Sequence, residues 1–268
     1  MMKLPFQICA GAAGIAALLL AAAIGPSLWT YSPETVNLHS IRQSPSLEHL
    51  LGTDDLGRDL LARLLSAARV SLSIGAFSAL IAALLGVTVG GVAGYCGSWV
   101  DSVLMRITEV FQIVPLLPLT LALGVILQPG IPSVILIIGF MSWMETARVT
   151  RSGLLALREA LFVESARSAG AGRLRIIFRH LLPNMSGPIA VATTLGMGRA
   201  IIVESAMSYF GVGVQPPAAS WGNMLYGAQS AMTTQPWLAI APGLLILLTV
   251  VSVNFAGDGL NELFQKQS

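Results

Sequence analysis

The sequence predicts an all-α integral membrane protein with six membrane-spanning helices. Of 268 residues, 54% are hydrophobic and only 10% charged, against about 25% charged in soluble domains. The apolar runs are long and continuous, near the roughly 20 residues that cross a ~30 Å hydrocarbon core. They lack the strict alternation of a membrane barrel. Seven of the fifteen Lys and Arg fall between Arg148 and Pro183, between two apolar runs. Positive loops resist translocation, so such a stretch marks the cytoplasmic side.

In order, Phe6 to Trp29 predicts the first span. A lone Lys before it and Ala21-Ala22-Ala23 also fit a secretory signal, but a chain that is otherwise embedded favours an uncleaved helix. Thr30 to Ala68 is polar, with Arg42, Arg58, Arg63 and the adjacent Arg69 balanced by Glu34, Glu48, Asp54, Asp55 and Asp59. That suits an extracytoplasmic segment. Within it, Gly52, Thr53, Asp54, Gly57, Arg58 and Asp59 belong to a Gly-punctuated run, read as a solvated turn before a helix that Asp54 or Asp55 caps.

Val70 to Tyr95 predicts the second span, where Gly86 and Gly90 form a GxxxG pair suited to close helix approach. Residues 94–101 turn the chain on the cytoplasmic side, and Asp101 to Glu109 reads as an interfacial helix. The third span, Val110 to Leu127, is interrupted by Pro115 and Pro118, tolerable in a bundle and candidates for a translocation path. A Gln128-Pro129-Gly130 turn leads to the fourth span, Ile131 to Trp143. The basic stretch then predicts two short helices. Arg158 to Ala169 is broken by Gly170-Ala171-Gly172, and a second begins at Arg173. Its Leu174, Ile177, Phe178 and Leu181 recur at i, i+3, i+4, i+7, and Pro183 ends it. Composition alone reads this stretch as a basic amphipathic surface on anionic lipid.

The fifth span, Ile189 to Met207, holds Arg199 and Glu204. Intramembrane charges are costly and point to function; these two are candidates for the path or for a buried pair, although about 140° of helix separates them. Tyr209 to Pro236 has no Lys or Arg, as expected outside. Trp237 to Ala256 forms the last span, with a short tail inside. Both termini are then cytoplasmic, with ten basic residues inside, four outside and one within a span. The chain divides into residues 1–69, a core of 70–257 containing the loop 148–183, and a tail of 258–268.

Several chemistries are excluded. The only lysines are Lys3 and Lys266, so no phosphate-cradling G-x-x-x-x-G-K-[ST] loop exists. His39, His49 and His180 are scattered, with no HExxH and no His in a span for a membrane Ser–His pair. Cys9 and Cys96 make neither a disulfide framework nor a metal pair, and both read as packing residues. No catalytic or metal-binding set emerges.

One constellation is specific. Glu164-Ser165-Ala166, three residues, Gly170, nine residues, then His180-Leu181-Leu182-Pro183 resembles the EAA motif of permease subunits of ATP-binding-cassette importers. Ser165 and His180 are its departures. The Leu51–Asp59 run, followed by Leu-Ala-Arg-Leu and by residues 68–72, resembles a signature of C-type permeases in the branch that handles dipeptides, oligopeptides and nickel. Glu204, Ser208, Phe210, Gly211 and Gly213 match a further motif, as do Gln215-Pro216-Pro217 with Trp221-Gly222. Pro242-Gly243-Leu244 and Asn254 with Gly257-Asp258 match the ending, except that Asn261-Glu262 replaces Arg-Asp. The resemblance runs from Pro33 to Leu260.

It implies a type I importer permease fold in the bacterial inner membrane, with a coupling helix between spans four and five. The implied partners are a B-type permease in a heterodimer, two ATPase subunits, an extracytoplasmic solute-binding protein and lipid, but no nucleic acid. ATP and Mg would be used by the ATPases, with no cofactor bound here. Glu164, Ser165, Ala166 and Gly170 would set the docking turn. Leu174, Ile177, Phe178, Leu181, Leu182 and Pro183 would fill the ATPase groove or brace the loop. The implied solute is a small peptide, with nickel or a metal chelate as the alternative. A proton-coupled secondary transporter using Glu204 as a carboxylate relay is the rival of a different class.

Overall fold

A computed structural model describes residues 6–265; Lys3 and Lys266 lie outside them. The described residues form twelve α-helices, two short 3-10 turns and one π turn, with no strand and only one isolated bridge between Thr53 and Asp59. Five helical stretches are long and apolar enough to cross a membrane, and a bent pair makes a sixth crossing.

Helix α1 (Phe6–Leu28) is apolar around its whole circumference and packs on the last helix. A Cβ at Gly11 would come within 2.4 Å of the Ala256 backbone N. Pro26 lies inside α1, so the carbonyl of Ala22, four residues back, loses its helical donor. Arg69 replaces it: Nε donates to Ala22 O at 2.6 Å and Nη2 to Ala23 O at 2.8 Å.

Helix α2 (Leu60–Cys96) is 37 residues long and begins ten residues before the expected start at Val70. Its N-cap is Asp59, not Asp54 or Asp55: the Asp59 carboxylate accepts from Ala62 N at 2.7 Å. The expected glycine contact is present. Added Cβ atoms at Gly86 and Gly90 would fall 2.6 Å from Thr146 Cβ and 2.1 Å from Ala147 O, so the backbones of α2 and α6 touch with nothing between them.

Helices α3 (Ser98–Ile113) and α4 (Leu116–Ile126) replace the straight third span, meeting at 85°. Eleven residues rise only about 16 Å, too little to cross alone. Pro115 marks the break. Pro118 does not interrupt anything, because it sits in the first turn of α4, where its missing N–H has no helical partner to lose.

Helices α5 (Ile131–Met141) and α6 (Trp143–Leu157) are joined through Ser142 and together make one 27-residue span. The fourth crossing therefore continues fourteen residues past Trp143, through Arg148 and Arg151. Arg151 is held by Asp101 in the first turn of α3, Nη2 to Oδ2 at 2.6 Å with Nε on Oδ1.

Helix α7 (Leu161–Ser168) and the short α8 (Arg173–Ile176) follow. The chain then winds through a π turn at Ile177–Leu181 into α9 (Leu182–Asn184) and α10 (Ser186–Tyr209). Pro183 thus begins a helical segment where it was expected to end one. In the π turn Leu182 N bonds to Ile177 O, five residues back. The extra residue absorbs the mismatch that a proline with no N–H imposes on a regular ladder.

Helix α11 (Trp221–Ala228) opens on a capping box between Ser220 and Asn223. Its Trp221 is fully buried, with Nε1 donating to Leu64 O at 3.3 Å. Helix α12 (Trp237–Gln265) runs nine residues beyond the expected end of the last span. Cys9 and Cys96, expected as packing residues, are exposed free thiols.

Candidate functional site

Two regions carry the chemistry. One is the turn at one end of the bundle. The spacing of Ala166 and Gly170 has a backbone cause. Gly170 takes φ +81, its N bonds to Arg167 O, and Ala171 N reaches back to Ala166 O, both at 3.0 Å. That is a Schellman ending, which needs a left-handed residue four positions after the residue whose carbonyl closes the outer bond. Glycine adopts that conformation without a Cβ penalty. Space is not the constraint, because nothing lies within 4 Å of where the Cβ would be.

Around that turn Glu164, Ser165, Gly170, Leu174, Phe178 and Pro183 are exposed, and Ala166, Ile177 and Leu182 are half-buried. Leu181 is fully buried with Leu154, Val163, Ile176 and Met185. The expected apolar stripe is therefore split. Its π turn rotates Leu181 inward with Ile176, while Leu174 at 71% and Phe178 at 68% exposure stand outward. Arg167, Arg173, Arg175 and Arg179 are exposed beside them.

The other region is a cleft between α6 and α10. Its polar lining is Ser78, Gln112, Thr146, Thr193, Glu145 and Arg199, set among apolar residues such as Leu116, Met141 and Met144. Arg199 Nη1 pairs with Glu145 Oε2 across the helices, and both side chains are about half exposed. Both residues lie near the middle of their spans. A charge facing hydrocarbon there costs about 2.5–3.5 kcal/mol on insertion scales, so this face is covered by protein or water. A second opening, lined by Val149, Asn184, Ser186 and Leu195, shares Glu145 and Ala192 with the first. Glu145 thus faces both an opening at the middle of the bundle and one that reaches Pro183. Glu145 escapes a sequence reading that ends the fourth span at Trp143.

Glu204 is not part of this cleft. It is fully buried, accepting from Ser208 Oγ at 2.8 Å and Ser71 Oγ at 3.3 Å. Ser71 Oγ also accepts from Trp221 N at 3.1 Å, and Ser208 Oγ from Val214 N at 3.0 Å. Arg199 and Glu204 are therefore not a pair; one opens onto the cleft and the other stitches α2, α10 and α11 together. Pro115 and Pro118 are exposed beside the cleft, and its lining there is Gln112 and Leu116.

Most of the Leu51–Asp59 run is buried rather than solvated, with only Asp55 and Leu56 exposed. Asp54 Oδ1 accepts from Leu56 N and Arg58 N, and Oδ2 from Arg58 Nε at 2.7 Å. Arg63 Nε approaches the same oxygen at 3.4 Å. Asp59 takes Trp29 Nε1 at 2.9 Å and lies 2.8 Å from His49 Nδ1. Thr53, fully buried, accepts from Gln43 N at 2.8 Å and donates to Ser40 O. Gly52 and Gly57 have positive φ, and a Cβ at Gly57 would overlap Asn37 O. The residues of this motif lock one another into a rigid cap over the bundle end.

An all-helical bundle with a broken third crossing, a Schellman turn between crossings four and five and a cleft holding an ion pair has the architecture expected of a membrane translocation component. Residues 86–267 match the family described as binding-protein-dependent transport system inner membrane component, and the chain belongs to that family. Its members are translocation subunits, not catalysts. The chain is 37% identical over 253 residues to a putative peptide permease protein of Brucella suis biovar 1, covering 93% of this chain and 84% of that one. It is 39% identical over 259 residues to the glutathione transport system permease protein GsiD of Pectobacterium atrosepticum, covering 96% and 86%. With the oligopeptide transport system permease protein OppC of Bacillus subtilis it shares 36% over 248 residues, 92% and 81% of the chains. Among solved structures, the MetNI methionine ABC transporter in inward-facing conformations superposes with TM-score 0.59 at 18% identity, over 76% of this chain and 96% of that one. The fold is shared.

Proposed function

We propose that this chain is a C-type permease subunit that moves small peptides across the bacterial inner membrane, driven by ATP hydrolysed on separate subunits. The observation that carries the peptide reading is agreement among relatives. Proteins that match over nine-tenths of the chain are named for peptides, oligopeptides and glutathione. The partners are a B-type permease completing a heterodimer, two ATPases that bind ATP and Mg, and a solute-binding protein on the opposite face. The Gly170 end and both termini lie in the cytoplasm, in keeping with the exposed arginines there. The outward-standing Leu174 and Phe178, flanked by Arg175 and Arg179, suit a helix seated in a partner's groove. Glu164, Ser165, Ala166 and Gly170 hold that surface at its angle, and Leu181 braces it from within.

Co-purification of the tagged chain from its native membrane tests this, beside Gly170→Arg. Arginine cannot take the left-handed conformation cheaply, so the turn reorients while the spans stay inserted. A second permease and ATPases should accompany the wild type, and the ATPases should be lost from the variant. Retention of the ATPases by G170R would remove the docking role from this turn.

A further inference from the structure

We infer that Glu145 and Arg199 form an exchange site for the charged ends of a zwitterionic solute: the peptide carboxylate replaces Glu145 on the Arg199 guanidinium while the peptide ammonium takes the Glu145 carboxylate. This deepens the peptide reading and rests on it. The pair is the only Arg–Glu ion pair between α6 and α10 among the described salt bridges. Unlike Arg151–Asp101, whose aspartate is largely covered at 15% exposure, its members are 55% and 47% exposed within the chain. Glu145 lines both openings and Arg199 lines the first, so a solute passing from one opening to the other meets the Glu145 carboxylate and, beside it, the Arg199 guanidinium.

The chemistry favours passage over capture. A fixed pair that opens offers one cation and one anion, and a zwitterion satisfies both, so charged bonds are exchanged rather than lost. Every carboxylate–guanidinium contact given up is matched by one formed. An unpaired Arg at this depth would hold an anion too tightly to release it, and without the pair the cleft's many apolar lining residues would disfavour the charged termini. Ser78, Gln112, Thr146 and Thr193 supply neutral hydrogen-bonding groups around the pair, suited to peptide amides without fixing a side-chain identity.

The test uses the whole complex in proteoliposomes with its binding protein. Uptake of a tripeptide is compared with that of its C-terminally amidated and N-acetylated forms, for wild type, Arg199→Gln and Glu145→Gln. The binding protein is common to all, so its own preference cancels in variant-to-wild-type ratios. Arg199→Gln should slow the free peptide about tenfold, the worth of one charge-assisted bond, and leave the amidated form nearly unchanged. Glu145→Gln should do the same with respect to the N-acetylated form. Equal slowing of free and capped peptides, or none, would overturn the exchange site while leaving the importer reading intact. Wild-type vesicles that hydrolyse ATP but accumulate no peptide would overturn the peptide reading, and the inference with it. The double variant Glu145→Arg/Arg199→Glu keeps the pair; its peptide uptake should exceed that of either single variant, and uptake no better than theirs would count against exchange.

Discussion

Asp59 shows how much one carboxylate can hold in a membrane protein. It caps α2 through Ala62 N, accepts from the Trp29 indole and meets His49, tying the end of α1, the polar segment and the start of α2 to one side chain. Asp59→Ala leaves those donors without their acceptor, and should cost about 2–4 kcal/mol. A thermal melt in detergent should show a clear drop, and an unchanged Tm would mean the bonds contribute nothing. The type and spacing of these residues were legible in the sequence, but their role was not, because Asp59 lies thirty residues from Trp29 and ten from His49. The same holds for Arg199. Its charge was conspicuous, yet its partner Glu145 sits on another helix. Only the depth shared by two charges in separate spans could have paired them.

The α2–α6 contact rests on glycines whose neighbours are backbone atoms. Gly90→Val would drive its Cβ into Ala147 O, which cannot move aside, and overpacking of this kind costs about 1–3 kcal/mol or more. Gly91→Val is the control, since nothing lies within 4 Å of its Cβ. The first should lower Tm and the yield of folded protein while the second changes neither; equal effects would refute direct backbone contact. The GxxxG spacing announced this packing. The Schellman turn was equally legible, because three residues between Ala166 and Gly170 fit its geometry. The π turn was not. Leu174, Ile177, Phe178 and Leu181 obey a period of 3.6 residues, and nothing in that period betrays one inserted residue that sends Leu181 inward and leaves Phe178 outside.

Across the chain, composition and charge were enough for six crossings, and the structure supplies five long helices and a pair bent by 85°. The bend was half visible: Pro115 and Pro118 look alike in sequence, and only their helical positions separate a break from a harmless first turn. The topology has a direct check. With Cys9 and Cys96 replaced, single cysteines at Leu47, 98% exposed, and Leu174 should react with an impermeant maleimide from opposite sides of the membrane. Labelling from the same side would rule out the six-crossing arrangement.

From Arg173 to Tyr209 the chain runs through α8, the π turn, α9 and, after a single turn residue at Met185, α10, with no loop between them. The near end of this run carries the exposed Leu174, its middle carries Arg199 and its far end carries the buried Glu204. A displacement of the Gly170 turn would pass along this continuous chain to the cleft and the Trp221 end, with the wider π turn as its most compliant joint. Stiffening that joint would change how far the cleft opens without touching anything that lines it.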